Sequence, residues 1–214
     1  MIITVTELAK RFRGQALYER VNLEIRPGII HALVGPNGSG KSVLLRLLCG
    51  LLKPDSGEVV IDPQFLDRRR VFPDRFGVLI DRPGALPHLS GIANLTALAR
   101  IRHRIGNAEL AALMRSFGLD PENSRRVRHY SLGMKQKLAL CQAFMEDPRV
   151  LILDEPFNAL DEISAQNLRE RLRGLAADGV TIVFTSHDPR DVELLAQRIF
   201  VIEDTRVVER SPVP

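Results

Sequence analysis

The chain has 214 residues, 45% of them hydrophobic and 26% charged, with a formal net charge of +4. That length holds one substantial core, or one core with a smaller subdomain, and the near-average composition excludes disordered, collagen-like and fibrous chains. No apolar run reaches the roughly 20 residues of a membrane span, since the longest, such as Val43 to Leu52, are short or broken by Arg, Cys and Gly.

The opening Met1-Ile2-Ile3-Thr4-Val5 has no basic n-region and no small-residue cleavage site. It reads as a first strand, and the expected location is the cytoplasm. Further strands are expected at Val21 to Ile25 and Ile29 to Val34, after a first strand that runs from Ile2 to Leu8, with Pro27-Gly28 as a turn. A helix follows at Lys41 to Leu51, where Leu44, Leu45, Leu47, Leu48 and Leu51 form an apolar face and Pro54 with Gly57 marks the stop. Strands at Glu58 to Ile61 and Arg75 to Ile80 precede a long helical stretch through Ile92 to Ile101, Glu109 to Phe117 and Leu132 to Met145. Strands return at Val150 to Leu153, Thr181 to Thr185 and Ile199 to Ile202, separated by helices at Glu162 to Ala177 and Asp191 to Gln197. Asp188-Pro189 supplies an N-cap and a first-turn proline for the last helix.

Cys49 and Cys141 lie in apolar helical patterns without a second Cys or His at metal-ligand spacing, and read as buried structural thiols. The basic clusters Arg68-Arg69-Arg70, Arg100 to Arg104 and Arg125-Arg126-Val127-Arg128 lack interleaved aromatics. They read as solvated faces, and no nucleic-acid partner is expected.

Gly35-Pro36-Asn37-Gly38-Ser39-Gly40-Lys41-Ser42 fits G-x-x-x-x-G-K-[ST] between an expected strand and an expected helix. Glycines let the backbone curl so that successive N–H groups converge on phosphates, and the following helix adds its positive end. Lys41 supplies a charge to the β- and γ-phosphates of ATP, and Ser42 a hydroxyl to Mg2+. The bland alternative, a glycine-rich turn that merely starts a helix, does not account for the full motif in this context. Val150 to Leu153 then runs into Asp154-Glu155, two carboxylates at the end of an aliphatic strand. Asp154 is expected to hold Mg2+, and Glu155 to act as general base on the attacking water or to orient it. Taken alone, this pair reads equally well as a strand entering an acidic turn.

With Ser131-Leu132-Gly133-Met134-Lys135-Gln136 ahead of Asp154-Glu155, the sequence resembles the nucleotide-binding subunits of ABC transporters along essentially its whole length. The resemblance implies an α/β fold: a P-loop NTPase core with a mainly parallel sheet, an N-terminal antiparallel β portion and an inserted helical subdomain. The single domain would divide into a core of about residues 1–80 and 146–214 and a helical signature subdomain of about 81–145. Phe12 matches the aromatic that stacks on adenine, Asn158-Ala159-Leu160-Asp161 the D-loop, and Thr185-Ser186-His187 the switch histidine. Alone, Phe12 would read as a core or surface aromatic and His187 as a satisfied polar residue.

The family pattern implies ATP contacts from Phe12, from the loop Gly35, Pro36, Asn37, Gly38, Ser39, Gly40, Lys41 and Ser42, and from Val43. It assigns Glu155, His187 and Lys41 to catalysis and Ser42, Asp154 and Asp81 to the metal. Ser131, Leu132, Gly133 and Met134 would contact the ATP of a second copy, with Asp161 in the D-loop between them. Implied partners are a nucleotide-dependent homodimer and a transmembrane permease on a separate chain, which would hold the subunit at the inner face of the membrane.

Two departures carry information. The common signature is Leu-Ser-Gly-Gly-Gln, whereas Tyr130-Ser131-Leu132-Gly133-Met134 keeps only the serine and the second glycine. Asp81 stands where most relatives place a Gln that senses Mg2+ and couples to the membrane subunit, and a carboxylate cannot donate a hydrogen bond. Both features are similar to the exporter branch that includes bacitracin and lantibiotic self-protection ATPases. The rival function is a soluble ATPase that remodels a protein or nucleic-acid complex, and it is countered by the single cassette and the lack of coiled-coil heptads. A subunit that binds without hydrolysing is countered by intact Lys41, Asp154, Glu155 and His187.

Overall fold

Aliphatic and β-branched runs buried on both faces make a central parallel sheet. In the computed structural model, which describes residues 1–12, 14–67, 72–81 and 84–210, its strands are β3 (Ile30–Val34), β5 (Phe76–Leu79), β6 (Val150–Leu153), β7 (Thr181–Thr185), β8 (Arg198–Glu203) and β9 (Arg206–Arg210). Their order is β5-β6-β7-β3-β8-β9, all parallel but β9, which returns antiparallel along β8. Period-two alternation divides β6 between two cores. Val150 and Ile152 join one, and Leu151 and Leu153 the other.

The first core lies under a second, three-stranded antiparallel sheet of order β2-β1-β4, formed by β1 (Ile3–Phe12), β2 (Gln15–Ile25) and β4 (Ser56–Ile61). Helix α1 (Lys41–Leu48) fills the space between with Leu44, Leu45, Leu47 and Leu48. The second core is closed by α5 (Glu162–Ala177) and α6 (Pro189–Leu195) through Leu168, Leu172, Val192 and Leu195. Helices α2 (Gly91–Arg102), α3 (Asn107–Ser116) and α4 (Leu132–Phe144) enclose a third core of their own around Leu95, Leu110, Met114, Leu138 and Cys141. This is the inserted helical block.

Several boundaries differ from the sequence expectation, each for a local reason. β1 runs on to Phe12 because bulges between Val5 and Leu8 and between Leu8 and Lys10 break its alternation without ending its pairing. β2 starts at Gln15, across a hairpin closed by the Phe12–Gln15 pair. α1 ends at Leu48, where Gly50 takes a φ of 74° and Leu51 N–H returns to Arg46 O at 2.9 Å. Strand β9 was not anticipated; its face is mostly exposed and leaves little apolar pattern.

Both thiols are buried, which pushes Cys49 up to about 11 and Cys141 up to about 12 and keeps them unreactive. The stretch Arg100 to Arg104 is not simply solvated: Arg102 and Arg104 both pair with Asp74, and Arg102 also reaches Glu146. The Arg68-Arg69-Arg70 cluster lies outside the described residues.

Candidate active site

The strand order places three carboxyl ends side by side, β6, β7 and β3, and each feeds a chemical group into one cleft. β3 leads into Gly35 to Ser42, β6 into Asp154-Glu155, and β7 into Ser186-His187. The cleft has a volume of about 480 Å3 and is lined by Phe12, Asn37, Gly38, Gly40, Lys41, Ser42, Val43, Asp154, Glu155 and His187, with Leu17 and Arg46. Hollows of similar size elsewhere lack this set of groups.

Backbone geometry explains the loop. Gly40 caps α1 with a φ of 97°, and a Cβ there would lie 2.5 Å from the Tyr18 hydroxyl. That hydroxyl in turn donates to Ser39 O at 3.3 Å, so the antiparallel sheet braces the loop from behind. Lys41 Nζ donates to Gly35 O at 2.8 Å and Pro36 O at 3.2 Å, which holds its ammonium under the curl of the loop. Ser39 Oγ is buried without a hydrogen-bond partner among the described residues.

Glu155 takes a φ of 48°, a left-handed conformation uncommon for a residue with a side chain. Its N–H donates to Thr185 Oγ1 at 2.8 Å, and its Oε2 accepts from the His187 N–H at 3.3 Å. His187 Nε2 is 3.0 Å from Oε1, yet that buried oxygen receives no directed hydrogen bond from the described residues. Burial raises the Glu155 carboxyl above the ordinary carboxylate range, against the pull of His187 and Lys41. The result is a carboxylate more basic than usual with one oxygen lacking a donor. An orphaned buried oxygen in the cleft, Glu155 Oε1, fits a polar ligand.

The donors also fit magnesium with a nucleotide. Among the described residues no group of three His, Cys, Asp or Glu forms a self-contained metal site. Ser42 and Asp154 both line the cleft and carry oxygens of the kind a hard cation takes; they would hold one only together with ligands from phosphates and water.

Asp81 stands apart from this set. Its carboxylate pairs with Arg46 of α1, and it is not among the residues lining the cleft. Arg46 had a sequence signal, as the only charged residue in the run Ser42 to Leu52.

The signature residues do not line the cleft of their own chain. Ser131 caps α4 by accepting the Met134 N–H at 3.2 Å, and Leu132 stands 71% exposed. A Cβ on Gly133 would lie 2.7 Å from Ala159 O, so the glycine lets the D-loop backbone pass. Gln136 donates to the carbonyls of Glu155 and Pro156 at 3.2 and 3.0 Å, tying α4 to the carboxylate loop. Asp161 caps α5, and the Ser164 N–H and hydroxyl hold its carboxyl down at about 2.

A largely buried network invisible in the sequence supports the segment that follows β7. Ser186 Oγ donates to Asp191 Oδ2 at 2.7 Å and accepts the Asp188 N–H at 3.1 Å. Asp191 pairs with Arg169 of α5 at 2.8 Å, and Arg169 reaches on to Glu162 at 3.2 Å. The residues of this network lie up to 29 positions apart, and their contact is created only by the packing of α5 on α6.

Fold and cleft together define a P-loop nucleotide-binding protein. The sequence profile of the family described as ABC transporter matches residues 18–158, and the chain belongs to that family as an ATP-binding subunit. It is 32% identical over 211 residues to the lantibiotic transport ATP-binding protein SrtF of Streptococcus pyogenes, covering 98% of this chain and 91% of that one. It is likewise 32% identical over 213 residues to the bacitracin transport ATP-binding protein BcrA of Bacillus licheniformis, covering 99% of this chain and 70% of that one. Against the uncharacterised ATP-binding protein YdbJ of Bacillus subtilis it spans 66% of the relative's length. A solved structure of an ATP-binding subunit of an ABC transporter superposes with a TM-score of 0.86 at 28% identity, covering 99% of this chain and 90% of that one.

Proposed function

We propose that this chain hydrolyses ATP and drives an exporter whose membrane-spanning permease is a separate polypeptide. The observation that carries the reading is the convergence of Lys41, Asp154, Glu155 and His187 on one cleft from three adjacent strand ends. Adenine stacks on Phe12, and the loop N–H groups with Lys41 bind the phosphates. Ser42 and Asp154 hold Mg2+, which supplies positive charge to the phosphate oxygens. Glu155 accepts the proton of the water that attacks the γ-phosphate, and ADP leaves. His187 stands beside Glu155 to orient this group and meet the γ-phosphate.

Ser131 to Met134 complete the cleft of a second copy in a head-to-tail dimer, so each chain carries half of each of two sites. The exposure of Leu132, and of Ile163 at 75% beside the D-loop, supports such a face. A groove of about 400 Å3 between the helical block and β5, lined by Phe72, Phe76, Leu98, Ile101 and Met145, supports the docking of the permease. Ile101 on its rim is 74% exposed. Among the described residues no helix is long and apolar enough to cross a membrane, so attachment to the inner face runs through that groove. The relatives are transport proteins, and nothing favours a soluble remodelling ATPase.

The test compares wild type with Glu155→Gln for ATP binding and phosphate release, alone and with its permease. Loss of the base costs about 10²- to 10⁴-fold in turnover with ATP binding retained. Undiminished phosphate release by the variant overturns the assignment.

A further inference from the structure

We propose that Thr185 is a positioning residue for this ATPase, whose hydroxyl fixes Asp154 and Glu155 together in the arrangement that receives Mg2+ and nucleotide. The proposal rests on the functional reading above and adds to it a residue outside the phosphate-binding and general-base set.

Thr185 ends β7 and is fully buried, directly after the apolar run Ile182-Val183-Phe184 and at the opposite end of the strand from Thr181. A valine of the same shape would serve packing alone. The hydroxyl has two partners, both at the reaction centre: it accepts the Glu155 N–H at 2.8 Å and lies 2.7 Å from Asp154 Oδ1. Because an amide can only donate, the hydroxyl's single proton is directed to Asp154 Oδ1. That polarity anchors one carboxylate oxygen and leaves Oδ2 without a hydrogen-bond partner among the described residues.

The same hydroxyl secures Glu155 in its left-handed backbone conformation, which only its surroundings can hold. Two residues on, the His187 N–H takes Glu155 Oε2. The segment 185–187 therefore grips Glu155 at its amide and at its carboxylate, and Asp154 at one oxygen. Removing the hydroxyl orphans the part-buried Glu155 N–H and releases the Asp154 carboxylate at the same time.

The experiment measures ATP binding by the full chain across a Mg2+ titration, for wild type, Thr185→Val and Thr185→Ser. Without Mg2+ the three bind ATP alike. Thr185→Val needs about 10- to 100-fold more Mg2+ to reach half of its enhancement, and Thr185→Ser follows wild type. Wild-type Mg2+ dependence in Thr185→Val overturns the proposal, as does a serine variant as impaired as the valine one, since packing by the methyl would then be what matters. If Thr185→Val does not fold, Thr185→Cys against Thr185→Ser makes the same comparison, with the defect expected in the cysteine chain alone. A wild-type chain whose ATP binding is absent or indifferent to Mg2+ contradicts the functional reading instead, so the two failures are distinct.

Discussion

The carboxyl ends of β6 and β7 and the start of α4 carry similar groups, hydroxyls and backbone N–H donors, but the protein treats them in opposite ways. At the strand ends each group is already engaged: Thr185 holds Asp154 and Glu155, His187 meets Glu155, and Ser186 is tied through Asp191 to Arg169. At α4 the Ser131 cap is made, but Leu132 faces solvent and no signature residue reaches the cleft of its own chain. A pre-set half meets a presented half. The difference separates the geometry the fold supplies alone from the geometry that the proposed second copy would complete.

Breaking the pre-set half gives the largest effect. Asp191→Ala leaves the buried Arg169 with only the exposed Glu162 to pair with and costs about 3–5 kcal/mol of stability, read by urea unfolding. Arg169→Met combined with Asp191→Leu recovers most of it. Failure of the single variant to destabilise would mean that the buried pair does not hold the switch segment.

A smaller effect acts through the sheet beneath both strand ends. His31 on β3 is fully buried; its Nε2 accepts the Arg26 N–H at 3.1 Å and its Nδ1 lies 3.3 Å from Ile182 O. Burial pushes the imidazole down from 6.5 to about 4. The unfolded chain therefore binds a proton that the folded chain refuses, so this contribution is complete above the unfolded value and falls as pH drops to about 4. The loss totals about 3 kcal/mol, and His31→Gln is expected to flatten that part of the stability–pH curve. An unchanged slope would remove His31 as its source.

The smallest effect belongs to an exposed element. Phe12 lies 47% exposed at the hairpin end with Lys10 Nζ 5.8 Å from its ring. Phe12→Ala weakens ATP by about 1–2 kcal/mol through lost stacking and leaves tripolyphosphate binding unchanged. Equal weakening of both ligands would show that the ring shapes the loop instead of binding the base.

Motif-bearing residues were legible in the sequence because their chemistry is local. Gly35 to Ser42 declares itself by spacing, Asp154-Glu155 only in company with that loop, and Asp188-Pro189 by capping: Asp188 accepts the Arg190 N–H at 2.9 Å, as its position implies. What the sequence hid is what packing creates. Arg169 and Asp191 meet only when α5 and α6 are layered on the sheet, and Thr185 looks like one more β-branched strand residue until its neighbours on β6 are known. β1 reads short in the sequence because its bulges shift the alternation by which a strand is recognised. Family analogy groups Asp81 with the metal ligands, whereas in the fold its carboxylate pairs with Arg46 of α1, 35 positions away in the chain.

The central claim is that the presented half belongs to the cleft of another copy. Light scattering of Glu155→Gln with and without ATP tests it most directly, with Gly133→Ala added in the same chain as the control, since its Cβ would meet Ala159 O at 2.7 Å. The account predicts a dimer with ATP, a monomer without it, and a monomer in both conditions for the doubly substituted chain that still binds ATP. A Glu155→Gln chain that saturates with ATP and stays monomeric would contradict it.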